Sequence, residues 1–166
     1  AAASIVSSFV EIPWQARTPR LHARVSVIVA RDLAHRGQTA RAIESLRTAL
    51  SQTPADAASS RFAHAVLQVQ LAKMLVELEQ PAAAREAMDA ARAAAPAAGL
   101  SPHTVAERRL VAIEVALASG SADQAAAKLA LAREYIDRLP ADHVIVRDLG
   151  ALAARVEVAV GRLGDG

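Results

Sequence analysis

At 166 residues, with a net charge of +2, the chain is of single-domain length and long enough to bury a sizeable core. Cysteine is absent, which excludes disulfides and thiolate metal sites. Roughly a quarter of the residues are alanine and only four are Phe, Trp or Tyr, a composition that predicts closely packed helices rather than strands.

Residues 1–20 read as an irregular connector, apolar enough at Ser4–Val10 for a short helix. Pro13 and Pro19 bracket Trp14 and break helical continuity, so Trp14 is expected to plug the open end of whatever follows. A first helix is predicted at Leu21–Arg36, with Gly37 ending it, and a second at Thr39–Gln52 before Pro54. Asp56 is a candidate cap for a long third helix, Ala57–Glu79, whose apolar face is wide. Pro81 suits the first turn of a fourth helix ending at Ala95, before Pro96 and Gly99. Ser101-Pro102 opens a fifth helix to Ser119, and Gly120-Ser121 separates it from a sixth, Ala122–Arg138. Pro140-Ala-Asp142 starts a last helix to Val160, and the glycine-rich tail 161–166 is expected to fray.

The second, fourth and sixth predicted helices repeat one pattern. Ala42, Leu46, Ala49 and Pro54 recur 42 residues on as Ala84, Met88, Ala91 and Pro96; Ala84, Met88 and Ala91 recur 41 residues on as Ala125, Leu129 and Ala132. Small and large residues three, four and seven apart mark one face of a helix. A period near 40 points to stacked helical hairpins, each burying its apolar face against its neighbours.

The pattern resembles the tetratricopeptide repeat over about Leu21–Val160. Ala30 and Ala72 match the small crossing position of the family's first helix, and Ala42, Ala84, Ala49, Ala91, Ala125 and Ala132 those of its second. Leu33, Leu75, Leu46, Met88 and Leu129 stand where the family has aromatics. The glycine before the second helix is present at Gly37 and Gly120, but Glu79 takes its place in the middle repeat. The resemblance implies an all-α, right-handed superhelical array of antiparallel hairpins with about seven helices, in units 21–55, 56–98 and 101–139 and a terminal helix 141–160. Units of 41–42 residues rather than 34 are similar to those of bacterial MalT-type regulators and of repeat arrays attached to signalling kinases.

Catalytic and cofactor signals are missing. There is no glycine-rich phosphate loop, H-E-x-x-H or G-x-S-x-G, and no two histidines stand four apart. His143 beside Asp142 and Ser121 after Gly120 read as helix-start residues. A non-enzymatic protein without cofactor or metal is expected. No apolar run reaches the length of a membrane span and no basic-then-apolar leader opens the chain, so a cytoplasmic location is expected.

Charge is uneven. Residues 1–50 hold seven basic and three acidic side chains, 51–100 four and five, 101–166 eight and nine. That density is too low, with too few aromatics, for nucleic acid. In the family the first helix of each unit lines a concave groove. The resemblance puts Arg24, Val27, Arg31 and His35 there from the first unit, Val66, Val69, Lys73 and Val76 from the second, and Glu107, Leu110 and Glu114 from the third. Arg31 and Lys73, 42 apart, would stack in one row, and the groove would run from basic to acidic, orienting a protein or peptide partner. An effector-sensing segment and a structural or oligomerisation module are the alternatives. The last helix carries Val144, Val146, Leu149, Leu152, Val156, Val158 and Val160, more apolar surface than one contact face needs. The chain is therefore expected to be part of a longer protein or to self-associate through this helix.

Overall fold

The computed structural model describes residues 18–55, 57–95, 100–136 and 144–164, with side chains as far as 161. The described residues form seven helices and no strand: α1 Pro19–His35, α2 Thr39–Ser51, α3 Arg61–Glu77, α4 Pro81–Ala94, α5 Pro102–Ala118, α6 Ala122–Ile136 and α7 Val144–Gly164. The all-α expectation holds. The expected plug at Trp14, the Ser4–Val10 helix and the Asp56 and Asp142 caps lie outside the described residues.

Several boundaries differ from the sequence reading by more than a residue, among them the end of α3, at Glu77 instead of Glu79. α1 begins at Pro19, because the Thr18 side chain caps it, accepting the Leu21 amide at 3.3 Å, and Pro19 takes the first turn. α3 begins at Arg61 instead of Ala57. The Ser60 hydroxyl donates to the carbonyls of Pro54 and Ala57, holding the preceding residues as a turn. α7 continues through Gly161 to Gly164, past the expected end at Val160.

The three helical hairpins share one connection. The Gly37 amide bonds the Ala34 carbonyl and the Gln38 amide the Leu33 carbonyl, at 2.8 and 2.9 Å. Glu79 with Val76 and Gln80 with Leu75 repeat this at 3.0 and 2.9 Å; Gly120 with Leu117 and Ser121 with Ala116 repeat it at 3.0 Å each. These are Schellman closures, which need a left-handed residue just past the helix end. Gly37, Glu79 and Gly120 have φ of 73°, 56° and 69°. The next residue then opens the following helix, since the carbonyls of Gln38, Gln80 and Ser121 accept from Ala42, Ala84 and Ala125. One residue thus serves two helices, and the partners turn back on each other with no slack.

The chain divides into two compact units, Ala1–Gly99 and Leu100–Gly166. In the first, α1 packs on α2 and α3 on α4, and α3 also contacts α1 and α2. Ala30, Ala42, Leu46, Ala49, Ala72, Ala84, Met88 and Ala91 are all buried. The recurring alanines let the helix axes approach, and the larger residues fill the space between. In the second unit α6 packs on both α5 and α7, and α5 also meets α7. Its core joins Ala106, Leu110 and Ile113 of α5, Ala125, Leu129, Ala132 and Ile136 of α6, and Ile145, Leu149, Leu152 and Val156 of α7.

Candidate functional site

In the first unit α1 and α3 lie side by side. Arg20 stands over the Phe62 ring at 5.0 Å, and the Arg31 Nε donates to the Gln70 Oε1 at 3.1 Å. Both partner numbers rise together, so the two helices run in the same direction. Arg24, Ile28, Arg31 and His35 are spaced four, three and four apart and form one exposed stripe on α1. Ile28, between Arg24 and Arg31 on this stripe, is 49% exposed.

The expected groove residues divide by environment. Arg24, Arg31 and His35 are exposed, and Val66, Lys73 and Val76 of α3 are half-buried. Val27 and Val69 correct the expectation: both are buried and cannot line an open groove. α3 is apolar almost all round, since it meets α1, α2 and α4, so periodicity alone did not reveal which of its sides faces outward.

The sequence reading missed Gln70. It is only 1% exposed, yet its amide oxygen meets the Arg31 guanidinium. A hydrogen bond to a charged group holds the arginine in a set orientation and satisfies a buried amide. The available signal was a lone polar residue in the apolar run Leu67-Gln68-Val69-Gln70-Leu71-Ala72. Gln68 in the same run is half-buried and donates to the His64 Nε2 at 3.3 Å.

In the second unit Glu107 and Glu114 are half-buried on α5 and are engaged in interactions of their own. Leu110 belongs to the apolar core, a further correction to the groove expectation. Arg109, absent from the sequence reading, lies over the Tyr135 ring at 5.1 Å and donates to the Leu131 carbonyl, tying α5 to α6.

His64 acts structurally. Its Nδ1 lies 2.7 Å from the Thr53 carbonyl, which can only accept, so Nδ1 carries the proton and Nε2 accepts from Gln68. The Thr53 hydroxyl in turn donates to the Ala49 carbonyl at 2.8 Å, so the α2–α3 connection is fastened at both ends. Among the described residues no three His, Cys, Asp or Glu side chains gather as metal ligands would, and no helix is long and apolar enough to cross a membrane. No protein-family model, curated protein or solved structure matches this chain.

Proposed function

We propose that the first unit is a non-enzymatic, tetratricopeptide-like scaffold whose α1–α3 face binds an acidic peptide segment of a protein partner. The observation that carries this is Arg31, an exposed residue of α1 whose Nε donates to the buried Gln70. A guanidinium already oriented loses less rotamer entropy on meeting a carboxylate, and its planar fork suits bidentate contact. Arg24 extends the positive edge along the same stripe, Lys73 adds a cation on α3, and Ile28 supplies an apolar contact. The tetratricopeptide resemblance assigns ligand binding to this first-helix face. A regulatory module within a larger bacterial protein is the setting that the long repeats suggest.

A fluorescently labelled glutamate-rich peptide tests the proposal by anisotropy. Binding to the wild type is expected to weaken with added salt, as an ionic contact between exposed groups does. An Arg24→Glu and Lys73→Glu double variant is expected to lose at least about tenfold in affinity, equivalent to about 1.4 kcal/mol. Its stability should change by less than about 0.5 kcal/mol per substitution, since neither residue is buried. Equal affinity of both proteins for the peptide would remove this face as the binding site.

A further inference from the structure

The inward side of α7 is occupied. Ile145, Leu149, Leu152, Ala153 and Val156 lie in the core of the second unit. The outward side carries a second, separate stripe. Val144, Ala151 and Val158 stand seven apart, and Arg147, Ala154 and Gly161 follow each by three. All six are exposed, with Val144 at 47% and Val158 at 56%. This alternation of three and four is the spacing of a two-helix coiled-coil seam. Its middle, Ala151 and Ala154, is small enough for another helix to approach closely.

The flanking charges select the occupant and its direction. Asp148 and Arg155 are seven apart on the flank beside Val144, Ala151 and Val158, and Glu157 lies on the opposite flank. When two such helices pair antiparallel, each flank faces the same flank of the other. A two-fold axis then sets Asp148 of each copy against Arg155 of the other, giving two opposite-charge pairs from two residues. Glu157, on the other flank, is paired within the chain with Arg133 of α6 at 3.8 Å. A parallel pair opposes unlike flanks instead, and sets Arg155 against Gly150. A surface complementary to itself under a two-fold rotation is what an isologous interface requires.

We infer that the outer face of α7 pairs antiparallel with α7 of a second copy of this chain, forming a two-fold homodimer fastened by reciprocal Asp148–Arg155 contacts. The inference is independent of peptide binding on α1 and α3.

Light scattering coupled to size exclusion, over a range of concentrations, tests it. The wild type shifts toward the dimer mass as concentration rises, and less so at high salt. Asp148→Arg alone and Arg155→Asp alone place like charges opposite each other, so each runs as a monomer. An equimolar mixture of these two variants recovers the dimer, because every flank position in the mixed pair again meets its opposite. Ala154→Glu, on the seam, is monomeric, and circular dichroism shows unchanged helicity in all variants. A wild type that stays monomeric throughout would overturn the inference and assign this face to another segment or another protein. A dimer equally strong in every single variant would place association elsewhere. Single variants that stay monomeric when mixed would show that Asp148 and Arg155 do not meet.

Discussion

Glu79 has φ 56° in the position that Gly37 and Gly120 hold in the other two hairpins. A left-handed backbone costs an L-residue roughly 1–2 kcal/mol, which glycine avoids. Glycine also raises the entropy of the unfolded chain, offsetting about 0.4–1 kcal/mol of that gain. Glu79→Gly is therefore expected to stabilise the protein by about 0.5–1 kcal/mol, and Gly120→Ala to destabilise it by a similar amount. Nothing lies within 4 Å of a Cβ added at Gly120, so that loss comes from the backbone alone. Urea denaturation of both variants checks the pair. A neutral Glu79→Gly would mean that the Glu79 side chain stabilises the turn by as much as its backbone costs. The same arithmetic explains a sequence that could not announce this turn: the pattern showed a glycine missing, while the Schellman closure kept its place because hydrogen bonds from Glu79 and Gln80 satisfy the helix end. Gln70 is a second residue of this kind, because its role depends on a contact with Arg31, 39 residues away.

At the scale of the helix, legibility follows how much of the helix surface is apolar. α2 and α4 bury a single narrow face, so the recurring Ala-x3-Leu/Met-x2-Ala pattern located their cores. Ala42, Leu46, Ala84 and Ala91 are indeed all but inaccessible. Leu50, four residues on from Leu46, is half-buried at the edge of this face. Leu46→Ala is expected to cost about 2–5 kcal/mol, through lost burial and the cavity left behind. Ala72, fully buried on α3, has no space for a larger side chain, so Ala72→Leu should cost about 1–3 kcal/mol. Thermal and chemical unfolding of the two variants give both values. A neutral Ala72→Leu would show that α3 does not cross its neighbours closely at this alanine. α3 and α5 have apolar residues on most sides, and there the sequence could not tell an outward valine or leucine from an inward one. Repeat position alone places Val69 and Leu110 in a groove, as it does Val27 on α1, and the surrounding helices bury all three. On α7 the valines that looked redundant separate into two sets: Val156 points into the core, whereas Val144, Val158 and Val160 remain exposed.

At the scale of the whole molecule, the chain divides into two compact units, Ala1–Gly99 and Leu100–Gly166. The second unit is a three-helix body with one shared core, and Ile113 is fully buried at its centre. Ile113→Val is expected to destabilise by about 0.5–1.5 kcal/mol. Because α5, α6 and α7 share that core, amide exchange should quicken in all three together, as a cooperative block opens together. Hydrogen-exchange mass spectrometry reads this directly; faster exchange confined to α5 would show that the three helices do not open as one. The sequence by itself determined that the protein is all-α, that its helices form hairpins, and which alanines and leucines recur in their cores. Those properties follow from local spacing, because a helix repeats its faces every few residues along the chain. Tertiary structure alone decided that Glu79 adopts the left-handed turn, that Gln70 orients Arg31, that Val27, Val69 and Leu110 are enclosed, and that α7 keeps a second face outward. Each of these depends on what a neighbouring helix brings to the residue, and residues brought together from distant positions leave no period in the sequence.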